Sequence, residues 1–322
     1  MKKLFLSFIS LLLILTLTAC KKEDDSYNVA IIKLLDHASL DEIANSISSR
    51  LDEISKEKGI TINYTVDSGN ADATLIQQYA STYLANDVDL IIPIATLTAQ
   101  IMVSATEGKN IPVVYAAISD PDGAGLIGMP NVTGTSDALN TNQIMDMILE
   151  VNPGIKKVGL LYSLSEDNSK KPIAEAKAYL NNKNIEFVEA TGNNDSEISQ
   201  AVASLIASNV EAIFTPTDNI VMASEIAIAE TLKNAGIPHY TGADSFVRNG
   251  GFATCGVNYT ELGAKTADIA YDALTGKDVF KDYHLMEGGI ITVNTETAAA
   301  LNIDYKSLSK FGTLVEVITT ED

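Results

Sequence analysis

The sequence predicts an α/β protein of two Rossmann-like lobes, each a parallel sheet with helices on both faces, joined by three crossings. Three observations carry this. Apolar strand segments alternate with amphipathic helical segments along nearly the whole chain. One stretch occurs twice: residues 68–93, SGNADATLIQQYASTYLANDVDLIIP, and residues 191–216, TGNNDSEISQAVASLIASNVEAIFTP, align without a gap at an offset of 123, with eight of 26 pairs identical. The 322 residues are enough for two domains of about 150. Each copy of the repeat reads as loop, helix and apolar strand ending in proline, so two similar lobes are expected, and a cleft between lobes is a preferred place for a small ligand.

The N-terminus stands outside the fold. Lys2 and Lys3 precede an apolar run from Leu4 to Leu17, then Leu17-Thr18-Ala19-Cys20 and a polar stretch. The run is short for a transmembrane helix, which needs about 20 residues. Charge, apolar run and small residues in that order form a signal peptide, here residues 1–19. The cysteine directly after Leu-Thr-Ala resembles a bacterial lipobox, which makes Cys20 the lipidated first residue and residues 20–27 a tether.

The first lobe opens with strand 28–35 and a helix from Ser39 to Lys58, whose Leu40, Ile43, Ile47, Leu51 and Ile54 share one face. Gly59 ends that helix. Strand 60–66, a helix near 72–86, and short buried strands at 90–94, 113–116 and 131–135 follow. The second lobe restarts with helix 140–151, strand 158–162, helix 170–182, strand 185–189, the second repeat copy, helix 220–234 and a strand at 239–240. Thr260 to Thr275 is helical, and 290–293 and 313–318 read as strands. Crossings near 135–139, 254–259 and 284–288 place the first lobe at 28–137 plus 258–286, and the second at 138–257 plus 287–322.

Composition excludes several classes. The formal net charge is −20, and removing the signal segment takes two further positive charges away. That disfavours nucleic acid and anionic lipid surfaces as partners. Cys255 is the only cysteine besides Cys20, so neither a disulfide framework nor a cysteine metal cluster is expected. Three scattered histidines and no nucleophile elbow argue against an enzyme, and no cofactor or metal is expected. Gly123 to Gly128 matches Gly-x-Gly-x-x-Gly but leads to Pro130 rather than a helix, so it reads as a loop.

Ligands of open α/β sheets sit at the carboxyl ends of the strands. The segments there are rich in hydroxyls, amides and carboxylates. They hold Asp36 and His37; Ala95, Thr96 and Thr98; Ala117, Ser119 and Asp120; Asp137; Tyr162, Ser165, Glu166, Asn168 and Ser169; Thr215, Asp218 and Asn219; and Asp244. Any one of these can equally be a helix cap. The gapless repeat aligns Ala95 and Thr96 with Asp218 and Asn219, so the charge falls on the second lobe and suits a ligand cation on that side.

At these residues the chain resembles the solute-binding lipoproteins of ABC importers, in the branch that includes tryptophan- and tyrosine-binding lipoproteins. The resembling segments lie at 31–42 (IIKLLDHASLDE), 91–100 (IIPIATLTAQ), 116–125 (AAISDPDGAG), 131–137 (NVTGTSD), 162–169 (YSLSEDNS), 214–219 (FTPTDN), 242–245 (GADS) and 256–263 (GVNYTELG). The resemblance implies the type I periplasmic-binding-protein fold, a lipid-anchored monomer outside the cytoplasmic membrane, an ABC permease as partner and an aromatic amino acid as ligand. With only Arg50 and Arg248 available, neutral capture of the carboxylate is expected, by Ser165, Asn168 and Ser169 at a helix N-terminus with help from Thr96 and Thr98. Asp218 is the expected ammonium partner, Asp244 the second choice, and Tyr115, Tyr162 and Tyr259 the expected ring walls. A sugar or nucleoside receptor, a surface adhesin and a secreted enzyme using carboxylates such as Asp120 and Asp122 are the competing readings; the absence of tryptophan weakens the first.

Overall fold

The computed structural model describes residues 26–320, so the expected signal segment, Cys20 and most of the tether lie outside the described residues. The first strand, β1 (Ser26–Lys33), begins two residues inside the expected tether. It is followed by α1 (Ala38–Lys58), β2 (Thr61–Ser68), α2 (Ala73–Ala85), β3 (Leu90–Ile94), α3 (Thr96–Ala105), β4 (Val113–Tyr115) and β5 (Val132–Ser136). The chain then passes to the second lobe. There it forms α4 (Thr141–Val151), β6 (Lys157–Tyr162), α5 (Asp167–Asn182), β7 (Glu186–Thr191), α6 (Asp195–Ala207), β8 (Ala212–Thr215), α7 (Asn219–Asn234), β9 (His239–Thr241), α8 (Asp244–Arg248) and β10 (Ala253–Gly256). It returns for α9 (Tyr259–Leu274) and the short β11 (His284–Leu285), and crosses a third time into β12 (Ile290–Asn294), α10 (Thr295–Ala300), a 3₁₀ turn at Lys306–Phe311 and β13 (Thr313–Val317).

Two sheets result, ordered β11-β5-β4-β3-β1-β2 and β13-β12-β10-β9-β8-β6-β7. The first is parallel throughout. In the second, β12 runs antiparallel to β10, a departure from the all-parallel expectation. Its cause is the third crossing: β12 follows β11 through a four-residue link with no crossover helix to reverse the chain, and β13 then lies parallel to β12.

Helix α1 buries the face its spacing predicts, with Ile43, Ile47 and Leu51 fully covered. Burying each such side chain contributes about 1.5–3 kcal/mol. The partner is α9, and Gly263 permits the close approach: a Cβ there would sit 2.7 Å from the Ile43 carbonyl oxygen. This contact carries Tyr259, the first residue of α9, to the end of the first lobe that faces the second.

The internal repeat is real but its register is subtler than a gapless alignment. Gly69 and Gly192 are equivalent: each N–H donates to the last residue of the neighbouring strand, Lys33 or Tyr162, and each sits where a Cβ would strike the following helix. Through the helices the correspondence shifts to an offset of 122. Buried Ile76, Ala80 and Tyr83 of α2 match buried Ile198, Val202 and Leu205 of α6, and the caps Asp72 and Asn194 match likewise. Beyond the strands it returns to 123, because Pro93 lies inside β3 whereas Pro216 follows β8. The loop before α6 is one residue shorter, and the span from the start of β8 to the start of α7 one residue longer, than its counterpart in the first copy. Five of the identities, in the helix and at its two caps, and the strand-end proline pair are therefore not structural equivalents, yet Ala95 and Asp218 do correspond, as the residues before α3 and α7.

Candidate functional site

Facing carboxyl ends of the two sheets enclose a cavity lined by residues of both lobes. The segments expected to be loops are largely helix starts: α3 begins at Thr96, α5 at Asp167 and α7 at Asn219. Helix N-termini from both lobes therefore converge on the cavity with their positive dipole ends, although side chains of Glu166 and Asp218 already satisfy the first N–H groups of α7.

The first lobe supplies opposite chemistries to this cavity. Helix α3 has no side-chain cap, because its capping position is Ala95. Ala95 holds φ 77°, ψ 158°, a region that costs a non-glycine residue about 1–3 kcal/mol, and Ala117 beside it also has a positive φ of 56°. The Thr96 hydroxyl, at the first helical position, is buried without a hydrogen-bond partner. Such a group costs about 1–3 kcal/mol unless something satisfies it. An uncapped helix start with an orphaned hydroxyl fits an anion. Asp137, just beyond β5, is 5% exposed and also lines the cavity. It accepts from Ser119 Oγ at 3.0 Å and Tyr259 Oη at 3.1 Å. Burial raises its pKa, and among the described residues it forms no ion pair. A buried carboxylate with lone pairs to spare fits a cation.

The remaining wall mixes polar His37, Ser39, Asn168, Thr217, Asp218 and Asn219 with a group of apolar side chains. Leu40 and Ile43 come from α1, Met222 from α7, Ala243 and Phe246 from around α8, and Tyr259 from α9. Phe246 is held edge-on by the His239 ring, centroids 6.1 Å apart. His239 is fixed in turn by Glu225 at 3.0 Å and Thr215 at 2.8 Å, all three buried.

Several contacts join the lobes around the cavity. Ser119 gives its proton to Asp137, so Thr217 donates to Ser119 across the cleft at 2.9 Å. The His37 Nδ1 accepts from the Leu40 N–H, so Nε2 donates to Asn219 Oδ1 at 3.0 Å. Ser39 pairs with Ser245. At the rim Lys171 reaches Asp120 at 3.3 Å and Gln100 reaches Asp167 at 3.3 Å.

Of the residues singled out from sequence, His37, Ala95, Thr96, Ala117, Ser119, Asp137, Asn168, Asp218 and Asn219 line this cavity. The roles shift, however. Asp218 does not fit the ammonium role, because protein donors occupy both of its oxygens. Ile220 and Val221 N–H groups reach Oδ1 at 3.1 and 3.0 Å, and Ser163 N–H and Ser169 Oγ reach Oδ2 at 2.7 Å each. It caps α7 and ties α5 to it. Asp244 does not fit either: it pairs with Arg248 at 3.0 Å away from the cavity. Ser169 is spent on Asp218, Ser165 turns to Ser163, and Asn168 donates to the Thr217 carbonyl at 2.7 Å, so the anion site moves to α3. Thr98 bonds back to the Ile94 carbonyl, Thr215 to His239, and Asp36 pairs with Lys33 at the surface. Glu166 is buried under α7, accepting from the Asn219 side chain at 2.6 Å; burial, then the nearby Asp218, push its pKa up to about 7. Tyr115 lies in the first-lobe core and Tyr162 binds Glu189 at 2.8 Å, so of the three tyrosines only Tyr259 reaches the cavity. Gly123 to Gly128 is a turn-rich loop, as expected. Among the described residues no helix is long and apolar enough to cross a membrane.

Two lobes of this topology, clasping a pocket lined by polar and apolar side chains from both, define a type I solute receptor. The chain belongs to the ABC transporter substrate binding protein family, whose model matches residues 28–311. It is 30% identical over 282 residues to a tyrosine-binding protein of Clostridioides difficile, covering 86% of this chain and 81% of that one. Among solved structures it resembles an ABC domain from Streptococcus pneumonia in complex with L-Trp, with TM-score 0.82 and 29% identity over 91% of this chain and 100% of that one. It also resembles the ligand-free, open form of a substrate binding protein with adhesive properties from Clostridium difficile, with TM-score 0.67 and 28% identity over the same shares. In the present structure the two lobes touch directly across the cleft.

Proposed function

We propose that this chain is the extracytoplasmic receptor of an ABC importer, lipid-anchored through Cys20, and that it captures an aromatic amino acid between its lobes. The observation that carries the ligand reading is that the orphaned Thr96 hydroxyl and the buried Asp137 carboxylate line one cavity together with a group of apolar side chains. An α-carboxylate satisfies the bare start of α3 and the orphaned Thr96 hydroxyl. The α-ammonium beside it meets the buried Asp137 carboxylate. The side chain then lies among Leu40, Ile43, Met222, Phe246 and Tyr259, where a ring buries the most apolar surface. The names of the similar proteins, one binding tyrosine and one holding L-Trp, support this reading. The receptor acts as a monomer, needs no cofactor, and hands its ligand to a permease after the lobes close.

Thermal melting of the mature protein against a panel of L-amino acids, sugars and nucleosides tests this. A ligand at 100 times its Kd adds about 2.7 kcal/mol to stability. A clear rise with tyrosine, phenylalanine or tryptophan is expected, and loss of that rise when the ligand's amine is acetylated. No response to any of the three amino acids overturns the assignment.

A further inference from the structure

We propose that Ser39 meets the ligand's ring and makes the receptor prefer a hydroxylated ring, tyrosine over phenylalanine. The inference rests on the aromatic reading above. Ser39 is the second residue of α1, 5% exposed, and lines the cavity next to Leu40 and Met222. Its partner is the Ser245 hydroxyl of the opposite lobe, which lies 3.3 Å from the Met222 sulfur.

Proton counting gives the selectivity. Two hydroxyls own two hydrogens and four lone pairs. One hydrogen closes the Ser39–Ser245 bond; the other has only a thioether, a weak acceptor. The pair therefore presents spare lone pairs and one under-used hydrogen beside Leu40, Ile43 and Met222, while the neighbouring polar groups of His37 and Asn219 are engaged with protein partners. A phenol can donate to Ser39 and gains a hydrogen bond. An unsubstituted ring gains nothing, but strands nothing either, because the two serines already satisfy each other. The preference is thus the net worth of one neutral hydrogen bond, about ten-fold in affinity. A site whose polar groups were left bare by the lesser ligand would discriminate by about 10,000-fold or more.

Calorimetric titration of the mature protein with tyrosine and with phenylalanine provides the test, run on the parent chain, Ser39→Ala and Ser245→Ala. Both substitutions remove a contact between the lobes and weaken both ligands together, so the ratio of the two affinities is the readout. The parent ratio is expected near ten-fold in favour of tyrosine. It should fall to about one in Ser39→Ala and stay at several-fold in Ser245→Ala, which keeps the Ser39 hydroxyl. An unchanged ratio in Ser39→Ala, or equal binding of the two ligands by the parent chain, overturns the role given to Ser39 and leaves the aromatic reading standing. Failure of tyrosine, phenylalanine and tryptophan alike to bind the parent chain overturns the aromatic reading and this role with it.

Discussion

Replacing Asp137 by Asn should move binding and stability in opposite directions. Asp137 is 5% exposed, its pKa is raised by burial, and its protein partners are the neutral hydroxyls of Ser119 and Tyr259. A group whose folded pKa lies above its ordinary value favours the folded state below that ordinary value and loses the benefit as pH rises through the folded one. At neutral pH the buried charge is therefore a cost to the unliganded protein. The ligand's ammonium cancels that cost. An isosteric amide removes the charge, so the unliganded variant should melt no lower than the parent. Binding should suffer, since losing one partner of a buried charge pair costs about 2–5 kcal/mol, or about 30- to 4,000-fold in Kd. Calorimetric titration gives the first quantity and urea denaturation without ligand the second. In the parent protein, affinity should also fall as pH drops toward the raised pKa of Asp137, because a proton then competes with the ammonium. An Asp137→Asn protein that binds within a factor of about three of the parent would refute the ammonium assignment. One that loses binding only in step with a large loss of stability would show a purely structural role.

Thr96→Val keeps the shape and removes the orphaned hydroxyl; the unliganded protein should be unchanged or about 1 kcal/mol more stable, with affinity down about ten-fold, by melting and titration. Asp218→Ala leaves four donors without an acceptor, so denaturation should show a loss of about 3 kcal/mol or more; a fully stable variant lacking only ligand affinity would restore Asp218 as a ligand partner. Glu166, held at about 7, favours the folded state below its ordinary carboxyl range and loses that benefit as pH rises through about 7. Parent stability should drop by about 1 kcal/mol from this group between about pH 6 and pH 8, and Glu166→Gln should flatten that slope in pH-dependent denaturation.

Lobes, alternation and crossings were legible because periodicity and repetition survive in the residue string. The site was legible by position but not by role. Asp218 and Asp137 are both aspartates beyond a strand, and only coordinates reveal that one is saturated by four donors while the other keeps free lone pairs. An Asp immediately before a helical pattern did carry a capping signal, which the gapless repeat obscured by setting it opposite Ala95. Leu40 and Ile43 bound the cavity from the same α1 face that packs the core, so spacing cannot separate the two duties. Met222 and Phe246 went unnoticed for a similar reason: each sits within the first four residues of a helix, where an apolar side chain reads as packing. Ser39 and Thr217 lay in view, yet a short hydroxyl side chain gives no hint that it will meet a partner from the other lobe.

The residues proposed to hold the head group, Thr96 and Asp137, belong to the first lobe, as do Leu40, Ile43 and Tyr259, while Met222, Ala243 and Phe246 come from the second. On the proposed reading, arrival and retention are divided between the halves. An open receptor would dock the charged end of its guest on the first lobe before the second closes over the ring. Changes around α3 should then alter the association rate, whereas changes at Met222 or Phe246 should alter residence time, the quantity a waiting permease experiences.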